Sequence, residues 1–340
     1  MREPGFWYGS PSPLSWLLLP VAKIYGAITA RRMARGGVSA GVPVFCVGNY
    51  HVGGAGKTPT TLALAKILTG MGEHPFVVSR GYGGNMRGPV RVDADRHAAS
   101  DVGDEPLMMA AHVPVVVSRD RVAGAALAHA EGASVILLDD GFQNPALAKD
   151  ASLIVIDGAR ALGNGLVFPS GPLRAPLPPQ IARTDALIVI GHGRAAEGVA
   201  DQVAERGGLV LHAVLTPDRG SLEKLRGRRI LAFAGIGDPA RFFATLRACG
   251  VDVVDERIFA DHHRFTLGEI ELLASDAAAR SLMPVTTEKD FTRIASDPGL
   301  AGCTNTIVPL AVTLEIGNET ALRGFLADRF AKVGGYETSS

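Results

Sequence analysis

The chain has 340 residues, 47% of them hydrophobic, with 41 glycines, and its 34 basic residues are balanced by 34 acidic ones. That length supports about two domains, and the charge balance excludes a global field that would draw nucleic acid. Three scattered cysteines, Cys46, Cys249 and Cys303, exclude a disulfide framework or a C-x-x-C zinc site and fit a reducing compartment.

In chain order, the first unusual stretch is residues 5–22, GFWYGSPSPLSWLLLPVA, which carries no charge and runs on to the basic cluster Arg31, Arg32 and Arg35. A spanning helix needs about 20 mostly apolar residues, and prolines 11, 13 and 20 are expected to interrupt this one. The apolar core starts late and no A-x-A cleavage site follows it, so it is a poor signal peptide. Apolar and aromatic residues beside a basic cluster predict a segment lying in a membrane interface. The alternative is a helix packed on its own domain.

Beyond residue 38, apolar runs alternate with helical stretches, the pattern of an α/β fold with a mainly parallel sheet covered on both faces. Strands are predicted at 42–47, 75–79, 113–118, 134–139, 153–157 and 186–190, with helices at 58–69, 105–112 and 121–131. The proline-rich 169–179, PSGPLRAPLPP, reads as a fixed loop. A second alternating block begins near Arg229, after the polar 215–228. The predicted organisation is an N-terminal membrane-interfacial helical segment (1–38), a P-loop NTPase core (39–215) and a smaller C-terminal α/β domain (216–340).

The strongest motif lies between the first strand and helix, where Gly53, Gly54, Ala55, Gly56, Lys57, Thr58 and Pro59 form a phosphate-binding loop. Glycines let backbone N–H groups turn inward, the helix N-terminus favours negative charge, Lys57 reaches the β/γ-phosphates of ATP, and Thr58 offers a hydroxyl to Mg²⁺. His51 stands where the strict motif has its first glycine, and Gly48, Gly53 and Gly54 supply curvature instead. The strand 134–139 ends in Asp139 and Asp140, which would complete a Mg²⁺ site; one of the two serves equally well as a turn cap. Gln143 either orients a hydroxyl or binds backbone.

Other clusters leave more than one reading open. Asp104 and Glu105 begin a helix, where they complement its dipole or serve as proton acceptor and metal support. Residues 80–84, RGYGG, read as a mobile glycine loop. Its Arg80, together with Arg119 and Arg121, either neutralises phosphate or is solvated surface charge. Arg174 is a cation held in place by its proline-stiffened loop. His262 and His263 follow Asp261 and are structural or a proton relay. Glu288, Lys289 and Asp290 form a local ion network or touch nucleotide.

Taken together, VGN…GGAGKTP, SRGYGG, VGDEP, SRDR, LLDDGFQ, GPLR, FADHH and TTEKD, in order from residue 47 to 290, resemble the tetraacyldisaccharide 4′-kinase (lipid A 4′-kinase) family. The resemblance implies transfer of the γ-phosphoryl group of ATP to the 4′-hydroxyl of an acylated glucosamine disaccharide 1-phosphate. It implies a peripheral or monotopic enzyme on the cytoplasmic leaflet of the bacterial inner membrane, with no nucleic acid and no obligate protein partner. Asp104 and His262 become the base assembly, brought together by closure between domains. Glu105, Asp139 and Asp140 join Thr58 as metal candidates, while Lys57 and Arg174 become catalytic cations. The rival readings are a P-loop kinase or ligase with a soluble acceptor, and an acceptor-free nucleotide switch. The sequence has no N-K-x-D guanine motif in the usual place.

Overall fold

The structure, a computed structural model, describes residues 4–54 and 56–337, with side chains to residue 333. Ala55, expected in the phosphate loop, lies outside the described residues. The strands are β1 (Val44–Gly48), β2 (Pro75–Ser79), β3 (Val90–Arg91), β4 (Val115–Val117), β5 (Val135–Asp139), β6 (Ala151–Asp157), β7 (Ala186–Ile190), β8 (Leu209–Pro217), β9 (Arg229–Ala234), β10 (Asp252–Ile258), β11 (Met283–Thr287), β12 (Val308–Leu310) and β13 (Val312–Ile316).

Among the described residues they form two sheets. The larger has nine strands in the order β13-β8-β7-β6-β1-β5-β2-β4-β3, parallel except at its edges β3 and β13. The smaller, β10-β9-β11-β12, is parallel throughout. The central strands of the large sheet are apolar without interruption because helices cover both faces. Alternate residues of β1 enter opposite cores, Phe45 and Val47 with Leu64 and Leu137 on one face, Val44 and Cys46 with Ile136 and Phe142 on the other. The chain from 216 onward serves both sheets. β9 to β12 build the small one, whereas β13 returns to pair with β8, and Leu322 and Leu326 of the following helix enter the Phe45 core.

β1 sits where the strand order reverses. The chain leaves it toward β5, β2 and β4 on one side, and β6, β7 and β8 continue the sheet on the other. The carboxyl ends of β1, β5 and β2 therefore lie side by side, the position where open parallel sheets bind ligands.

The N-terminal helix α1 (Pro13–Met33) is continuous. Ser12 and Ser15 cap it reciprocally and Pro13 takes its first position, where a missing N–H costs nothing. Pro20 does not interrupt it as expected: on the exposed side of the helix, its ring removes one hydrogen bond without ending the element. Buried Ser15, Ala22, Gly26 and Met33 mark the face that packs on the protein, whereas Leu14, Leu17, Val21, Ile24 and Ile28 form an exposed apolar stripe beside Trp16 and Tyr25. The helix has 21 residues and a mean hydropathy of 1.3 over its most apolar window, long and apolar enough to cross a membrane by length and composition alone.

This N-terminal segment grips one loop of the core. Trp7 and Tyr25 pack edge-on against Phe168, with ring centroids 6.1 and 5.5 Å away. Trp7 Nε1 donates to the Pro169 carbonyl (3.1 Å). Gly26 lies against Pro176, where a Cβ would come within 3.3 Å of the proline ring. The gripped loop carries Arg174.

Candidate active site

The strand β1 ends at Gly48 and the helix Lys57–Thr69 begins nine residues later, so the loop between them wraps the helix N-terminus. Gly56 is its N-cap at φ +87°, a conformation open to glycine, and a side chain there would press within 2.6 Å of Ile190. Pro59 sits in the first turn, where backbone amides have no helical partner. Buried Asn49 braces the loop by donating to the Gly53 carbonyl (2.9 Å). Lys57 Nζ folds back to the same carbonyl (3.3 Å) and lies 3.8 Å from Asp140. Thr58 follows, half-buried, and Gly54 is exposed.

The proline-rich loop 169–176 runs beside this one. Val52 N donates to Pro172 O (2.8 Å) and Arg174 N to Tyr50 O (2.9 Å). Arg174 Nε then donates to the His51 carbonyl (3.0 Å) and Nη1 to Asp140 Oδ1 (2.6 Å). The loop is fixed, as expected, only to residue 176. Leu177–Ile181 is a short helix, because Pro178 and Pro179 fall in a first turn that needs no N–H. Gln143 binds backbone, donating to Asn49 O (2.8 Å) and to Gln180 (3.0 Å).

Asp139 and Asp140 end β5 with different environments. Asp140 stands at φ +52°, unusual for a residue with a side chain. Burial would raise its pKa, but Lys57 and Arg174 hold the carboxyl below its ordinary value. Asp139 is buried with a hydrogen bond from Ser79 Oγ (3.2 Å). Burial, then the charges of Glu105 and Asp140, push it up to about 6.

Asp104 begins the helix Asp104–Ala110. His262 Nδ1 donates to its Oδ2 at 2.8 Å, and Arg293 Nη2 donates to the same oxygen at 2.5 Å. Burial alone would raise Asp104; these two donors and the nearby Lys289 hold it well below the usual carboxylate range. His262 is at φ +57° and its ring meets Tyr82 edge-on at 5.8 Å. The helix Glu288–Ala295 carries the ties between the two sheets: Glu288 to His112 (3.2 Å), Lys289 to Glu105 (3.1 Å) and Arg293 to Asp104. On the other side, Arg241 meets Asp157 at the end of β6 (2.9 Å), and Arg160 meets Asp238 (2.8 Å). The Asp104–His262 contact thus exists already, and closure is not needed to make it.

Several expectations change with burial in view. Arg121 is neither a phosphate cation nor surface charge: it is buried and donates to the carbonyls of Val78 (2.5 Å) and Asp139 (2.8 Å), tying β2 to β5. Arg80 and Arg119 are exposed. The RGYGG loop is packed, because a Cβ at Gly81 would meet Val117 at 2.5 Å and one at Gly84 would meet Asp101 O at 2.6 Å. His263 turns away from Asp104 to Glu269 (3.1 Å) and stacks on Phe259. Arg293, Ser79, Asp157 and Arg241 carried no signal in the sequence reading. Arg293 lies one helical turn beyond Glu288, Lys289 and Asp290, the charges that the sequence singles out.

Thr58, Glu105, Asp139 and Asp140 offer hard oxygen donors of the kind Mg²⁺ takes. Among the described residues no three carboxylates or imidazoles converge into a cation cage. Mg²⁺ usually binds one or two carboxylates and completes its shell with phosphates and water, so the donor set fits it.

Comparison with known proteins bears on the whole chain. The family model for tetraacyldisaccharide-1-P 4′-kinases matches residues 14–331. The tetraacyldisaccharide 4′-kinase of Nitrobacter winogradskyi is 63% identical over 333 residues, 98% of this chain and 99% of that one. That of Rhodopseudomonas palustris CGA009 is 64% identical over 97% of this chain and 96% of its own. The crystal structure of LpxK from Aquifex aeolicus in complex with ATP superposes with a TM-score of 0.72 at 26% identity, covering 93% of this chain and 99% of that one.

Proposed function

We propose, from the premise that this chain belongs to the tetraacyldisaccharide-1-phosphate 4′-kinase family, that Asp104 and His262 form its base assembly beside an ATP site built on Lys57. The chain is a tetraacyldisaccharide 4′-kinase and makes lipid IVA. The readings of a soluble acceptor and of an acceptor-free switch fall with that membership. The observation that carries the proposal is the 2.8 Å hydrogen bond between His262 and Asp104, on a helix whose next residue, Glu105, bears on the charge of Asp139.

ATP lies with its phosphates along the loop that leads into the helix Lys57–Thr69, where the glycines Gly53, Gly54 and Gly56 let backbone amides turn inward, Pro59 stiffens the first helical turn and Lys57 neutralises charge. Arg174, released from Asp140 or shared with it, is the second cation at the γ-phosphoryl group. Thr58, Asp139 and Asp140 would hold Mg²⁺, with Glu105 supporting through Asp139; bound there, the ion neutralises charge on the β- and γ-phosphates. The 4′-oxygen bonds to the γ-phosphorus, the bond to the bridging oxygen breaks to leave ADP, and the hydroxyl proton passes to Asp104. A carboxylate held ionised by His262 and Arg293 is a weak base, suited to a proton that becomes acidic late in the transfer. The exposed apolar stripe of α1 supports membrane association, and we place it on the cytoplasmic leaflet, where ATP and reduced cysteines belong.

The test is transfer of ³²P from γ-labelled ATP to tetraacyldisaccharide 1-phosphate in mixed micelles, with Lys57→Ala and Asp104→Ala alongside. Wild type should label the lipid; Lys57→Ala should lose on the order of a thousandfold, the size of effect a phosphoryl-neutralising cation carries, and Asp104→Ala about a hundredfold to ten-thousandfold, the range for a general base. An Asp104→Ala enzyme with the wild-type rate would remove Asp104 from the chemistry.

A further inference from the structure

The two oxygens of the Asp104 carboxylate are not equivalent. Oδ2 accepts from both His262 Nδ1 (2.8 Å) and Arg293 Nη2 (2.5 Å), and among the described residues no hydrogen bond is made to Oδ1. The other end of the guanidinium fork, Nη1, donates to Asp290 Oδ1 (2.7 Å) and to the His263 carbonyl (3.1 Å). Asp290 is fully buried, and its Oδ2 accepts from Gly235 N (2.9 Å), just past the end of β9, and Thr287 Oγ1 (2.8 Å), at the end of β11. Arg293 thus reaches the first sheet's helix from an anchor fixed to the framework of the second.

We propose that Arg293 is a positioning residue for phosphoryl transfer: anchored on Asp290, it occupies Oδ2 of Asp104 together with His262 and leaves Oδ1 as the oxygen that meets the acceptor hydroxyl. The proposal rests on the reading of Asp104 as proton acceptor. A planar fork with donors on two sides suits this task, whereas a lysine ammonium offers one point of charge. Stability is a weak reason for the arrangement, because taking three charges out of water offsets most of what their attraction contributes. Arg293 Nε is, moreover, buried without a partner among the described residues. The contact to His263 O adds a second function, fixing the backbone next to His262, so that both members of the base assembly take their position from one side chain.

The experiment measures kcat, KM for ATP and melting temperature in Arg293→Met, Arg293→Lys and Asp290→Asn, and repeats Arg293→Met in an Asp104→Asn background. Misplacement of a reacting group by about 1 Å costs on the order of a hundredfold in rate. Arg293→Met should therefore lose kcat by about that factor with KM for ATP within about twofold. Arg293→Lys should recover part of the loss, and Asp290→Asn should move in the same direction as Arg293→Met. In the Asp104→Asn background Arg293→Met should cost little more, since the group it positions is gone. Wild-type kcat in Arg293→Met, or the same fold-loss in both backgrounds, overturns the proposal. If Arg293→Met does not fold, Arg293→Lys and Asp290→Asn decide by the same comparison. Wild-type kcat in Asp104→Asn alone would instead strike the underlying reading of the base.

Discussion

Replacing Gly103 by alanine perturbs the backbone that aims Asp104 without touching a side chain. Gly103 links two short helices at φ +95° and ψ +152°, a region essentially reserved for glycine, and forcing another residue into it costs on the order of 1–3 kcal/mol. An added Cβ would also lie 2.5 Å from the Tyr82 carbonyl oxygen and 3.3 Å from the Gly81 carbonyl carbon. Both are main-chain atoms that no rotamer change can move aside, so overpacking adds about 1–3 kcal/mol. The combined loss of about 2–6 kcal/mol corresponds, at roughly 2–4 °C per kcal/mol, to a melting temperature lower by roughly 4–24 °C. Gly72 is the control: its φ is +91° and nothing lies within 4 Å of its Cβ position, so Gly72→Ala carries backbone strain without the clash. Scanning calorimetry of both variants, with kcat for lipid phosphorylation, separates the two contributions. Gly103→Ala should melt below Gly72→Ala and lose at least about tenfold in kcat, because a small displacement of Asp104 suffices. Equal melting temperatures would refute the clash, and a wild-type kcat would refute the idea that this turn aims the carboxylate.

Asp139→Asn has a pH signature. Burial, with Glu105 and Asp140, raises Asp139 to about 6 in the folded protein, so between about 3.9 and about 6 the folded state binds more protons than the unfolded chain. This group's contribution to stability therefore falls as pH rises through that window and stays low above it. Without nucleotide or Mg²⁺, Asp139→Asn should gain in melting temperature relative to wild type as pH rises from about 4 to about 6.5 while losing kinase activity; a difference independent of pH would contradict the assignment. On α1, Leu17 and Ile24 are 75% and 65% exposed, and burying such a side chain in lipid is worth about 1.5–3 kcal/mol. The pair Leu17→Gln and Ile24→Gln should lower cosedimentation with anionic vesicles by on the order of a hundredfold and leave ATP binding unchanged; undiminished binding would mean that the stripe is not the contact.

Local features were legible in the sequence. β2 and β7 run over the residues expected, because uninterrupted apolar runs bounded by turn residues admit few alternatives. The phosphate loop was readable because strand, glycines and helix follow one another directly. Residues separated by 150 positions or more were another matter. Asp104 and His262, 158 apart, came together through family resemblance and not through spacing. Arg293 and Asp104, 189 apart, and Lys289 and Glu105, 184 apart, depend on how the small sheet seats against the large one, which no local pattern records. Arg121 was misread because a buried guanidinium serving two carbonyls looks, in a string of letters, like a surface cation.

The grip of Trp7, Tyr25 and Gly26 on the Phe168–Pro176 loop has a geometric consequence. The helix that bears the apolar stripe and the loop that bears Arg174 form one packed body, so a bilayer taking up the stripe is held at a set height relative to Asp140 and Lys57. A flexible tether would let Arg174 and Lys57 wander relative to that surface. On the proposed reading, side-chain packing would then act as a gauge for how far a sugar must rise from its acyl chains to meet the phosphate.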